Sequence, residues 1–101
     1  GSLATKRKLY VGKCTNYYSN LQVAEFKLET GGMDAGDEIM VIGPTTGVVE
    51  TVAGEIRLGT EPVASAPKGS FIATFIPQKV RRNDKLFRIV NAKTMKENVR
   101  I

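Results

Sequence analysis

Asp34, Asp37 and Glu38 form the tightest acidic cluster of the chain, inside "MDAGDEIMVIGP" (Met33 to Pro44). Carboxylates this close could act as a general acid and base, or hold a cation. Acid–base work needs both groups to face one substrate, whereas neighbours on a strand point to opposite faces, so Asp37 and Glu38 cannot cooperate. The segment lacks the alternating oxygen ligands of a calcium loop, and the chain has no histidine for a zinc site. The expectation is turn chemistry, with no metal and no cofactor. A residue tolerant of left-handed backbone precedes Asp in Gly36-Asp37-Glu38-Ile39 and again in Asn83-Asp84-Lys85-Leu86, and an apolar strand follows each. An Asp so placed accepts hydrogen bonds from nearby backbone N–H groups and ties the turn.

Nucleophilic chemistry fares no better. Cys14 has Lys13 beside it but no histidine to activate it. A lone cysteine in a small domain is expected to be buried and inert, and the lack of a disulfide framework fits a reducing, cytoplasmic setting. There is no phosphate-binding G-x-x-x-x-G-K-[ST] loop and no dinucleotide fingerprint. No catalytic residue is assigned, and the domain alone is not expected to be an enzyme.

Charge is the stronger signal. The chain carries +5 overall, but residues 6–13 hold +4, residues 79–100 hold +6, and the stretch between them holds −5. In a closed barrel the first and last strands lie near one another, which would place both basic ends on one side. Lys6, Arg7, Lys8, Arg81, Arg82, Lys85 and Arg88 are therefore the candidate residues for binding nucleic acid or an acidic partner. Tyr10, Tyr17 and Tyr18 lie close to the basic start and could stack bases, although tyrosine in a strand more often packs.

The elements that must position these groups read as strands. The chain has 101 residues, 42% of them apolar, which is the make-up of one small domain with a single core. Apolar runs are separated by Gly, Pro, Asn and Asp clusters, and no long stretch keeps a helical period. Strands are expected over Lys8 to Cys14, Leu21 to Glu29, Glu38 to Ile42, Gly47 to Leu58 with a break at Gly54, Glu61 to Ala66 as an edge piece, Ser70 to Pro77, and Lys85 to Val90. Gly12 marks a bulge or a close approach of two backbones. Asn16 to Asn20 is read as the first connection. The apolar parity switches between Leu21-Val23 and Ala24-Phe26-Leu28, which predicts a bulge or a sharp bend near Val23-Ala24. Ser70 to Pro77 is apolar on both parities and is expected to be covered on both faces. The fold class is all-β, a small antiparallel barrel of six to seven strands. Residues 1–7 are read as tag remnant and linker, 8–90 as the barrel, and 91–101 as a polar tail. The longest apolar run, Ile39 to Ile42, is far below the ~20 residues of a membrane span, so no membrane partner is expected.

"GDEIMVIGP", "APKGSF" (Ala66 to Phe71) and "VRRNDKLFRI" (Val80 to Ile89), in that order and spacing, resemble the C-terminal domain of the collagenase-like U32 peptidase family. That domain is similar to the translation elongation factor β-barrel. The resemblance covers roughly residues 8–90. It implies a translation-factor-like accessory barrel that follows a larger catalytic domain, so no catalytic residue carries over. Members are regarded as proteases, and some relatives act in hydroxylation of transfer or ribosomal RNA. Asn83 stands where the family more often has Gly. The expected partners are the catalytic domain of the same polypeptide and tRNA or rRNA, with the isolated domain a monomer. The alternatives are a self-contained peptide hydrolase and a packing or dimerisation module.

Overall fold

Glycine- and asparagine-punctuated apolar runs become ten strands and no helix in the computed structural model, which describes residues 6–91. The strands are β1 (Lys6–Tyr18), β2 (Val23–Leu28), β3 (Met33–Asp34), β4 (Glu38–Gly43), β5 (Gly47–Val52), β6 (Ile56–Leu58), β7 (Glu61–Val63), β8 (Ser65–Ala66), β9 (Phe71–Phe75) and β10 (Lys85–Asn91). Eight of them form one sheet in the order β5-β4-β10-β1-β2-β9-β6-β7, and β3 pairs with β8 in a separate ladder. All of these pairings are antiparallel.

The all-β class holds, while the architecture is finer than six or seven strands. The expected fourth strand splits at Gly54 into β5 and β6, and Glu61 to Ala66 splits into β7 and β8. Among the described residues, β5 and β7 end the large sheet and do not pair with each other. The chain just before β4 lies between those two ends, because Ala35 N–H donates to Ala64 and Gly36 N–H to Ala53.

The core sits on one face of this curled sheet. In β2 the alternation is regular: Ala24, Phe26 and Leu28 are fully buried, and Val23, Glu25 and Lys27 are half-buried on the other side. Ile39 and Val41 of β4, Ile72 of β9 and Leu86 of β10 meet them from neighbouring strands. Full burial of side chains this large contributes about 1.5–3 kcal/mol each.

Three local expectations are narrowed or corrected. Of the bulge or bend expected near Val23-Ala24, the structure has the bend, at Gln22, while the bulges are in β1: Val11 is the extra residue against β10, and Thr15 the extra residue against β2. The parity switch arises because Leu21 is outside the strand, in a turn whose Gln22 has φ 55°. The connection also starts later, since Asn16, Tyr17 and Tyr18 are strand residues paired with Glu25, Ala24 and Val23. Finally, β9 is covered on one face only, with Ile72 and Thr74 buried and Phe71 and Phe75 half exposed. Gly12 does mark a close approach, for a Cβ there would strike the backbone carbonyl of Lys27. Lys6 and Arg7, expected in the leader, open β1 opposite Asn91 and Val90. The tail, apart from Asn91, lies outside the described residues.

Candidate functional site

The bulge at Val11 resets the pairing of β1 with β10, so that Lys13 rather than Gly12 stands opposite Lys85. On the far side of β1, Lys13 is opposite Lys27 of β2. Three lysines therefore form one row across β10, β1 and β2. Their neighbours along the strands, Gly12, Cys14, Phe26, Leu28 and Leu86, are buried, so the row belongs to the outer face. Adjacent strands are about 4.8 Å apart, which makes the row roughly 10 Å long. Like charges directly opposite one another destabilise a sheet. Of the three, among the described residues, only Lys13 forms an ion pair, with Glu29 at 3.8 Å.

Aromatic rings flank the row. Phe87 and Tyr10, opposite each other on β10 and β1, meet edge-to-face with ring centroids 5.8 Å apart. Phe71 lies opposite Lys27, whose ammonium is 4.9 Å from the ring centroid. Lys8 places its ammonium 5.1 Å from the Phe87 ring. The Tyr10 hydroxyl donates to Glu29 at 2.7 Å, and its pKa is pushed up to about 12, first by that hydrogen bond, then by burial and the Glu29 charge. An outer face with cations in one row and ring faces beside it can hold phosphates and stack bases together.

The residues singled out in the sequence divide. Lys85 is one end of the row, and Lys8 shares its outer face. Lys6 shares it too, but is matched by Glu38 at 3.1 Å. Arg7 is opposite Val90 on the other side of the ladder. Arg88 is taken up by an acid: its Nε lies 3.0 Å from Asp37 Oδ2. Arg81 and Arg82 precede β10, where Arg81 N–H donates to Asp84 and Arg82 Nε donates to the Thr15 carbonyl at 3.1 Å. The two basic ends are neighbours as strands, but the antiparallel register sets Lys6 beside Asn91 and Lys85 beside Lys13, so they form two clusters rather than one.

The acidic cluster disperses in the same way. Asp37 accepts the Asp34 N–H at 2.9 Å and faces Arg88, while Glu38 turns to Lys6. Asp84 accepts the Arg81 N–H at 2.9 Å, in the same relation to the residue three before it. Gly36 (φ 91°) and Asn83 (φ 75°) supply the left-handed third position that each turn requires. Among the described residues, no group of three His, Cys, Asp or Glu side chains gathers as metal ligands would. Cys14 is fully buried, its Sγ donates to the Asn16 carbonyl, and burial above all pushes its pKa up to about 11.

No family model matches the chain. Among curated proteins, a collagenase of Porphyromonas gingivalis strain W83 is 49% identical over 88 residues, which is 87% of this chain and 21% of that protein. An uncharacterised protease of Methanocaldococcus jannaschii is 32% identical over 87 residues, 86% of this chain and 21% of that protein. Among solved structures, the C-terminal domain of a Geobacillus thermoleovorans U32 peptidase superposes with a TM-score of 0.73 at 14% identity, covering 78% of this chain and 90% of that one. This chain has the fold of a U32 C-terminal domain. In sequence it is similar to proteins named collagenase and protease, and it spans about a fifth of the length of the curated relatives it matches.

Four residues of this face escaped the sequence reading: Lys13 and Lys27 of the row, and Phe71 and Phe87 beside it. Lys13 was visible as part of the basic start. Lys27 sits in an acidic stretch, and only its cross-strand neighbours reveal it. Among the described residues, no helix is long and apolar enough to cross a membrane.

Proposed function

We propose that this domain is a non-catalytic accessory module of a larger, peptidase-related polypeptide, and that its outer face recruits single-stranded RNA. The lysine row carries the proposal: three like charges held in register cost stability, and a polyanion laid across them removes that cost. Tyr10, Phe87 and Phe71 add stacking surfaces at the same place. The names of the relatives, collagenase and protease, support a peptidase as the parent. A buried thiol with a raised pKa is the opposite of an activated nucleophile, which supports an accessory role for the domain over a self-contained hydrolase.

Fluorescence anisotropy with a labelled oligouridylate, with tRNA as competitor, tests the reading. Neutralising three phosphates on a single strand gives a slope of log K against log salt of about −2. Joint replacement Lys13→Gln, Lys27→Gln and Lys85→Gln should abolish that slope. An affinity unchanged by the triple substitution removes the proposal, and polyglutamate binding as well as RNA would transfer it to an acidic protein partner.

A second reading, docking on the larger part of the parent, has its own observation. Tyr18, Val23 and Phe75 stand opposite one another on β1, β2 and β9, and with Leu21 they present an apolar outer surface, 45% exposed at Tyr18, 53% at Phe75 and 68% at Leu21. Slowed amide exchange at these residues in the full-length parent, relative to the isolated domain, would support it. Equal exchange in both would end it.

A further inference from the structure

The large sheet has two terminal strands, and they are built differently. β7 has three residues with Pro62 at its centre, so its edge lacks one donor and offers little to a further strand. β5 is twice as long, contains neither proline nor lysine, and pairs with β4 over all six of its residues. Four of the six, Val48, Val49, Thr51 and Val52, are β-branched. Its other edge has no strand partner among the described residues. Opposite Ile42, Met40 and Glu38 of β4, the side chains of Val48, Glu50 and Val52 share the outer face, with Val48 60% and Val52 53% exposed. Among the described residues Glu50 makes no ion pair. A pocket of about 530 Å³ lies on the paired side of this strand, over Glu38 and Met40 of β4 toward Lys6 and Lys8 of β1, and does not adjoin the open edge.

We propose that β5 is a docking edge on which an extended segment of a partner protein adds as a further strand, carrying a Lys or Arg between two apolar residues at alternate positions. Main-chain hydrogen bonds to the open edge supply the attachment, and alternate side chains supply the selectivity. Cross-strand pairing sets the chemistry of the partner: apolar residues opposite Val48 and Val52, and a cation opposite Glu50. Self-pairing is disfavoured by the same rule. An antiparallel β5–β5 contact that matches Val48 with Val52 brings Glu50 against Glu50. The edge is two strands away from β10, where the lysine row begins, so this inference does not rest on RNA binding.

The probe is the capped heptapeptide acetyl-Thr-Val-Thr-Lys-Thr-Val-Thr-amide, titrated into the isotope-labelled domain and followed by amide chemical shifts. Saturable shifts centred on residues 47–52 are expected. A peptide with Glu in place of Lys should bind roughly two- to fivefold more weakly, the range of one cross-strand pair, and Glu50→Lys should reverse that preference. Of two peptides methylated on alternate sets of backbone nitrogens, one must lose binding, since only one set faces the edge. The proposal is overturned if millimolar peptide gives no saturable shift along β5, if both methylated peptides bind like the parent peptide, or if Glu50→Lys leaves the preference unchanged.

Discussion

A side chain on Gly43 would land on the carboxylate of Asp84. Asp84 is buried, and its Oδ2 accepts both the Arg81 N–H and the Thr46 hydroxyl, so one carboxylate ties the turn before β10 to the turn after β4. Gly43 is the last residue of β4, and the missing Cβ is what lets the two turns meet.

Gly43→Ala must therefore push a buried carboxylate off its donors. The expected loss is roughly 2–4 kcal/mol, since a displaced buried acceptor costs its desolvation and its hydrogen bonds together. Thr46→Val removes one of the two contacts and should cost about 1 kcal/mol. Urea denaturation of both variants measures the difference. An Ala variant as stable as the parent would mean that Asp84 is not held there.

The other Asp turn gives a sharper test through a charge. Asp37 holds the Asp34 N–H and neutralises Arg88, whose Nε is buried and lies 3.0 Å away without hydrogen-bond alignment. Asp37→Asn keeps an acceptor for the turn but leaves the guanidinium unmatched. A loss of roughly 1–2 kcal/mol is expected, below the value for a fully buried pair because both side chains keep some solvent contact. Adding Arg88→Met to Asp37→Asn should recover part of the loss. A double-mutant cycle that shows simple additivity would contradict this.

Alkaline pH should weaken the fold through Cys14. Burial pushes the folded thiol's pKa up to about 11 from its ordinary 9.0, so between these two pH values the folded state keeps a proton that the unfolded state has lost. Stability then falls as pH rises through that window, by at most about 1.4 kcal/mol per pH unit, and is unaffected by this group at lower pH. Tyr10, also raised, acts in the same direction at higher pH. Cys14→Ala should flatten the decline between pH 9 and 11 in chemical denaturation, after subtraction of its constant packing cost. The thiol should also react with a disulfide reagent only as fast as the domain opens.

Period-2 burial, the two Asp turns and the burial of Cys14 were legible because each depends on a few neighbouring residues. Ala24, Phe26 and Leu28 alternate strictly, and Gly36 and Asn83 announce left-handed turns by their type. The lysine row was not legible, because it depends on which residues oppose one another across three strands. The extra residue at Val11 changes that register by one position, and nothing in "KLYVGKC" fixes which residue is skipped. Phe71 and Phe75 misled for a related reason: apolar type alone does not distinguish a covered face from an exposed one.

The row itself predicts an effect on stability that needs no ligand. Lys85 faces Lys13 directly, forms no ion pair among the described residues, and is exposed, so its replacement disturbs charge with little packing. Lys85→Gln should raise stability at low ionic strength by roughly 0.2–1 kcal/mol, the range for a cross-strand pair. Screening shortens the reach of these charges to about 3 Å at 1 M salt, so the gain should vanish there. Lys68→Gln, at an exposed turn position outside the row, is the control and should show no such dependence. Thermal melts of the three proteins across a salt series decide the matter. If Lys85→Gln destabilises the domain at low salt, the lysines do not repel one another as the register requires, and the electrostatic basis of the interface is lost.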